Sequence, residues 1–373
     1  KIIMLSAVIV LSSCKKDDDP VVPLQTACEV VSPNAYTFTY DGTSTVAYTG
    51  QAARLQTAKD VYSALNAAQG SATIDRAALD AIIDNNNSKL LTKTAENDIN
   101  RSTVIEDLNG IFDTYCTNSA NFDAGTIAAP GTAGITATGG YQLDASGWEA
   151  DQQFAKMLIG ALCLEQVNYD YLTKMDVDNE DRTYSNFTNG VPNGNDNNYT
   201  KREHYYDEAY GYVYGLDDND ADEVINNGLL LGKYLNKHDA GNTKSGVDYR
   251  QRVYDAFKMG RQAVVDSCQE ELDRQITEIN NCLSKVVAWH AMDYLTASGS
   301  AIGTDGFHHD VSEAWGFVYS LQWTKVDGAP LFSHGEVMTM ISTLDGGVNG
   351  AYDLTKATLD QMAASINSAV TFN

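Results

Sequence analysis

Tyr36-Thr37-Phe38-Thr39-Tyr40 alternates aromatic and threonine side chains, the period of a strand, and Asp41-Gly42 follows as turn chemistry. Val46-Ala47-Tyr48-Thr49-Gly50 resumes strand-like residues, so a small hairpin is expected. The period then lengthens to that of a helix over residues 53–68, 75–84 and 103–115, the last opening with the capping-box pair Thr103 and Glu106. Gly-, Thr- and Ala-rich sequence over 124–140 reads as a long loop or lid. Residues 148–174, with Phe154, Leu158, Leu162 and Leu172 on an apolar face, predict a long helix, and 247–297 predicts two more or one very long one. The stretches 176–200 and 217–222, rich in Asp, Asn and Gly, bury little and read as loops. Six prolines in 373 residues suit a helical chain. The pattern predicts an all-α protein with a small N-terminal β-hairpin, the hairpin and first helices in 35–140 and the main bundle in 141–373.

Within that bundle the sequence repeats itself. His204-Tyr205-Tyr206-Asp207-Glu208-Ala209-Tyr210-Gly211-Tyr212-Val213-Tyr214 matches His309-Asp310-Val311-Ser312-Glu313-Ala314-Trp315-Gly316-Phe317-Val318-Tyr319. Upstream of each copy stands the same tetrapeptide, Asp170-Tyr171-Leu172-Thr173 and Asp293-Tyr294-Leu295-Thr296. Two matched elements in one order predict a duplicated helical unit, with the longer first spacing absorbed in a surface loop.

On a helix His204, Glu208, Gly211 and Gly215 fall on one stripe, as do His309, Glu313, Gly316 and Ser320. A glycine inside a helix costs roughly 1 kcal/mol against alanine, so each stripe is expected to face a closely approaching helix or a ligand. If the two stripes face each other, two imidazoles and two carboxylates converge as in bundle proteins that hold a divalent or iron-type metal. That makes His204, Glu208, His309 and Glu313 the candidate metal ligands, with Asp207, Tyr210, Gly211, Trp315 and Gly316 around them. The competing reading pairs each His with its own Glu four residues on, for packing alone. No residue is assigned a catalytic role.

Lys1, the apolar run 2–11 and Leu11-Ser12-Ser13-Cys14 form a secretory leader, too short to span the ~30 Å hydrocarbon core of a bilayer. Cys14 is the expected lipidation site, and Lys15-Lys16-Asp17-Asp18-Asp19 a solvated tether within 14–34. The lipid is then the membrane partner, and the cell envelope the location. Net charge is −25, and −26 once Lys1 leaves with the leader, with no basic cluster to meet phosphates, which argues against nucleic acid. Five further cysteines lack metal-type spacing, and no disulfide framework can be read from them.

The leader with Cys14 resembles the lipobox of bacterial lipoproteins. Together Tyr48-Thr49-Gly50-Gln51 with Arg54, the Tyr206–Tyr212 motif and Ser312-Glu313-Ala314-Trp315-Gly316-Phe317 resemble an imelysin-like family of uncharacterised outer-membrane lipoproteins. The resemblance implies two related helical bundles, and a group some of whose members are iron-regulated or named metallopeptidases. The imelysin signature G-x-H-x-x-E is met by Gly306-Phe307-His308 in its first half only, since Val311 stands where the glutamate belongs. Two alternatives to metal or small-ligand binding stay open: a metal-dependent hydrolase or peptidase, and a non-catalytic surface module for a protein or glycan. The acidic turn at Asp217-Asp218-Asn219-Asp220 lacks the EF-hand spacing. His334 sits in the capping box Ser333 to Glu336, and His238 and His290 read as structural.

Overall fold

The computed structural model describes residues 28–66, 73–84, 89–138, 140–175, 187–188, 191–192, 199–217, 220–241 and 245–373. The leader, Cys14, the expected tether up to residue 27, most of the polar stretch before Thr200, and Asp218 and Asn219 lie outside the described residues, while 28–34 are described and Cys28 is bonded to Cys268.

The aromatic–threonine alternation forms a two-residue hairpin, β1 (Thr39–Tyr40) with β2 (Thr43–Ser44), in which Tyr40 stands opposite Thr43. Asp41 and Gly42 both take positive φ, +52° and +78°, as a tight two-residue hairpin loop requires. So short a loop places the second strand ahead of Val46. The residues expected to form it, 46–50, lead instead into α1 (Thr49–Leu65). Next come α2 (Arg76–Asp84) and α3 (Arg101–Asp123). Helix α3 begins ahead of Thr103: Asn100 is its N-cap, and a turn in which Asp98 accepts the backbone N–H groups of Asn100 and Arg101 leads into it. The expected Thr103–Glu106 box therefore does not start the helix. The small-residue stretch 124–140 is pinned by a ladder between β3 (Gly134–Ile135) and β4 (Gln142–Leu143), and by Thr138, which donates to Asp305 through both its backbone N–H and its hydroxyl.

Helix α4 (Ala150–Leu158) runs on through π-helical turns at Ile159–Leu164 and Gln166–Asp170 into a 3-10 turn at Tyr171–Lys174. It is buried nearly all round, polar residues included, which makes it the axis of the bundle. Then follow α5 (Lys201–Tyr214), opened by a capping box between Thr200 and Glu203, and α6 (Leu230–Leu235). The apolar period over 247–297 resolves into α7 (Tyr249–Val265) and α8 (Gln269–Ala301), broken where Ser267 takes φ +56°. Finally come α9 (Asp305–Ser320), α10 (His334–Asp345), opened by the Ser333–Glu336 box, and α11 (Lys356–Ala369). Helix α8 is the common packing partner of α7, α9 and α11, and α9 in turn lies on α4. One continuous apolar core reaches from Tyr36 to Val370. The chain is mostly helical, with its small antiparallel hairpin near the N-terminus. Among the described residues no helix is long and apolar enough to cross a membrane.

Cys268, the N-cap of α8, is bonded to Cys28 across 240 residues, a pairing that no local spacing could reveal. A cross-link of that span removes about 5 kcal/mol of unfolded-chain entropy in the simplest treatment. Cys268→Ser is therefore expected to lower the thermal midpoint, and reductant to lower that of the wild type but not of the variant. A wild-type midpoint indifferent to reductant would contradict this.

Candidate functional site

The two repeat helices, α5 and α9, each bring their glycine to a point where another helix leaves no room for a side chain. A Cβ on Gly211 would stand 2.5 Å from Tyr48 Cβ and 2.9 Å from Gln51 Cβ, and one on Gly316 would stand 2.4 Å from Lys156 Cβ. At Ser320 the small partner is on the other side, because Gly160 of the α4 extension brings its backbone N–H within 2.8 Å of Ser320 Oγ. Each seam is thus taken by a helix, α1 for the first copy and α4 for the second. The stripes do not meet across a shared axis.

The first copy sets an amide beside its glutamate. Glu208 accepts from Gln51 Nε2 at 2.9 Å, while His204 Nε2 lies 3.7 Å from the other oxygen and its ring stacks on Tyr199. In the second copy a charge replaces the amide. Lys156 Nζ lies 2.6 Å from Glu313 Oε1 with both side chains buried, and the Tyr234 hydroxyl donates to the same oxygen at 2.9 Å. Burial alone would raise the Glu313 pKa, but the Lys156 charge and hydrogen bond outweigh it and bring the group down to about 2. His309 turns away from Glu313: its Nδ1 is 2.7 Å from Glu149 Oε2, and its ring stacks on Tyr141. Burial disfavours the His309 cation, yet Glu149 prevails and raises its pKa. Beside them the buried Asp151 is pushed up to about 7, by burial first and then by the charge of Glu149.

The tetrapeptide shared upstream of the two copies finds its purpose here. Tyr171 sets its hydroxyl against Glu208, and Tyr294 sets its own against Glu313, each phenol raised by burial and then by the carboxylate it meets. A second parallel lies at the entrance of the facing helix. Asp207 accepts the backbone N–H of Ala47 just before α1, and its counterpart Ser312 accepts that of Glu149 at the start of α4. Asp207 is wholly buried and also receives the Tyr36 hydroxyl and Arg261 Nε, both at 2.8 Å. Arg261 reaches Thr45 as well, so this acid fastens the hairpin to α5 and α7. Tyr210 is stacked between Tyr36 and Tyr214, whereas Trp315, its counterpart, donates to Asp345 at 3.0 Å. His308 bonds the Gly147 carbonyl. Among the described residues no group of three or more His, Cys, Asp or Glu is placed to hold a metal ion.

Trp315 leads to a feature that sequence reasoning missed. A groove of about 460 Å³ opens between α3, the strand-and-turn segment after β4, the outer face of α9, and α10. Its polar lining includes Asp107, Asp144 and Asp345, and its apolar lining Ile111, Tyr115 and Trp148; no Lys, Arg or His lines it among the described residues. Asp107 receives the Tyr319 hydroxyl at 2.6 Å, and Asp144 receives the backbone N–H groups of Ser146 and Trp148. Burial raises the pKa of all three acids, and Asp345 is pushed to about 6 by burial together with the charges of Asp144 and Asp107. The signal for this site was weak, since isolated aspartates at 107, 144 and 345 share no spacing.

The contrast between the copies sets a stability test. Glu313→Gln leaves the buried Lys156 without its counter-charge and is expected to cost about 3–5 kcal/mol. Glu208→Gln strands no buried ammonium, its direct hydrogen-bond partners being Gln51 and Tyr171, and is expected to cost about 1 kcal/mol. Because the Glu313 pKa is depressed on folding, its stabilisation is present above its ordinary value of 4.5 and is lost as pH falls towards 2. Chemical denaturation of the two variants at pH 7 and pH 3 measures both effects; equal costs at pH 7 would overturn the assignment.

No curated protein and no solved structure matches this chain. Residues 33–373 match the family model described as a domain of unknown function, DUF4856, and the chain belongs to that family.

Proposed function

We propose that this protein is a lipid-anchored binding protein of the cell envelope, taking a small neutral or cationic ligand rich in hydroxyl or amine groups into the groove beside Trp315. The observation that carries this reading is the groove itself: a concavity of about 460 Å³ whose ionisable lining is acidic throughout and whose walls include aromatic rings. Carboxylates with raised pKa values accept hydrogen bonds from hydroxyls and pair with ammonium groups, while anionic ligands would be repelled. Binding is favoured over hydrolysis because the donors needed for a metal-activated water do not converge at either repeat stripe. A metal bound there would have two side-chain donors from one copy at most.

The imelysin-like resemblance and the outer-membrane anchor at Cys14 belong to the same proposal. The Cys28–Cys268 bond supports an oxidising location outside the cytoplasm. The duplication is likewise an inference, supported by the paired Tyr171–Glu208 and Tyr294–Glu313 contacts and by the two glycine seams. Incorporation of labelled palmitate, lost in Cys14→Ser, is the expected sign of the anchor; label retained in that variant would remove it.

Calorimetric titration with glucosamine oligomers and their N-acetylated counterparts tests the groove. Amine binding is expected to strengthen as pH rises through about 6, where Asp345 loses its proton, and to weaken about tenfold, or ~1.4 kcal/mol, in Asp345→Asn. Neutral oligomers should show little of that pH dependence. Failure of both ligand classes to bind, or binding unchanged in Asp345→Asn, would remove the groove from consideration.

A further inference from the structure

A second cavity lies away from the groove and shares no lining residue with it. It holds about 400 Å³ between α8, the 3-10 turn at Tyr171–Lys174 with Met175, and the chain after α9. Gln269, Asp273, Thr277 and Asn280 reach it from one face of α8, at steps of four, four and three residues. Lys325 and Gly328 close the far side, and that side is rigid. A bridge between Val326 and Ala329 brackets a tight turn in which Asp327 and Gly328 take φ +50° and +87°, and Asp327 exchanges two hydrogen bonds with the Asn281 side chain. Ser284 Oγ accepts the Lys325 N–H and donates to the Lys325 carbonyl.

Two groups on this lining lack what their chemistry requires. Asn280 is 5 % exposed, and its side chain has no hydrogen bond to any described residue. A buried amide without a partner is costly. Lys325 Nζ donates to the Asn168 carbonyl at 3.0 Å and lies over the Tyr169 ring, yet among the described residues no carboxylate pairs with it. Burial lowers its pKa, and no neighbouring acid opposes the shift. In a chain where 50 acids outnumber 25 Lys and Arg, a half-buried lysine without a counter-charge is an exception that an anionic group would complete.

The opposite charge stands at the other end. Asp273, the remaining ionisable residue of the lining among the described residues, is exposed at the rim and accepts from Gln269 Nε2 at 2.7 Å. It precedes Asn280 by two helical turns, ~10 Å along the axis of α8. Ile276 and Met175 add apolar surface. The cavity is neutral as a whole and polarised along its length, which disfavours an ion of either sign alone and suits a ligand carrying both.

We propose that this cavity binds a small zwitterion, with its carboxylate on Lys325 and the Asn280 amide and its ammonium towards Asp273. The carboxylate gives Lys325 its missing counter-charge and accepts from the Asn280 amide, both charge-assisted contacts. The ammonium meets Asp273 in water and adds less, since an exposed pair is worth little. The two charges must be separated by several bonds, as in an ω-amino acid or a short peptide.

Calorimetric titration of the whole chain with aminobutyrate, aminohexanoate, diglycine and triglycine tests the site, with hexanoate and hexylamine as single-charge controls. One zwitterion per chain is expected, bound severalfold more tightly than hexanoate and about tenfold or more above hexylamine. Lys325→Met should weaken that binding by about tenfold or more. Asp273→Asn should bring aminohexanoate down to the affinity of hexanoate; the position is exposed, so this variant keeps the fold and decides should Lys325→Met fail to fold. Peptides bound above ω-amino acids would support the proposal with a peptide as the source, and the reverse order with a simple amino acid. A wild type that binds none of the zwitterions, binding unchanged in Lys325→Met, or hexanoate bound as tightly as aminohexanoate would each overturn the proposal. Asp345→Asn lies in the groove and should leave this binding unchanged, so the two sites are read separately.

Discussion

Helix α9 can lie against α4 only because Gly316 has no side chain, and the same contact buries a full ion pair. Lys156 supplies both the Cβ that closes on Gly316 and the ammonium that neutralises Glu313. Close packing and buried charge are therefore one constraint. A larger residue at 316 would separate the helices and open the pair to water, while loss of the pair would leave a charge inside the axis of the bundle. Tyr234 and Tyr294 complete the shell around the carboxylate, so α6 and α8 are referred to the same point.

The first copy shows the same construction with an amide beside its acid. Tyr48 and Gln51 close on Gly211 where Lys156 closes on Gly316, and Glu208 receives an amide where Glu313 receives an ammonium. One residue earlier in the motif, Asp207 and Arg261 form a fully buried pair that fastens the hairpin, whereas Ser312 at the matching position makes only neutral bonds. Each copy thus buries one strong pair, but uses it for a different joint. This division explains why a motif that looks uniform in sequence supports two different environments.

The groove depends on the second copy's placement. Trp315 and Tyr319 project from the side of α9 that flanks the seam and bond Asp345 and Asp107, which fixes α10 and α3 as the two walls. Were α9 to rotate on α4, both bonds and the concavity between them would go. The glycine seam and the ligand site are in this sense two faces of one helix, and the tightness of the first orients the second.

Much of the architecture was legible in the sequence. Helical periodicity placed α1, α2 and α4 within a few residues, and the glycines at 211 and 316 announced close approaches, because both follow from the local period of side chains about a helix. The Thr103–Glu106 box was misleading, since a turn around Asp98 offered the chain an earlier start. What only tertiary structure decided is which element fills each seam: α4 meets α9 some 160 residues further along the chain, and Cys28 meets Cys268 across 240. The His–Glu spacing in each motif was real, yet His309 turns to Glu149 and Glu313 to Lys156, since a buried acid takes the strongest partner that packing brings within reach and not the nearest in sequence. Local period fixes which face a residue occupies; the identity of what lies opposite depends on long-range packing that no single stretch of chain encodes.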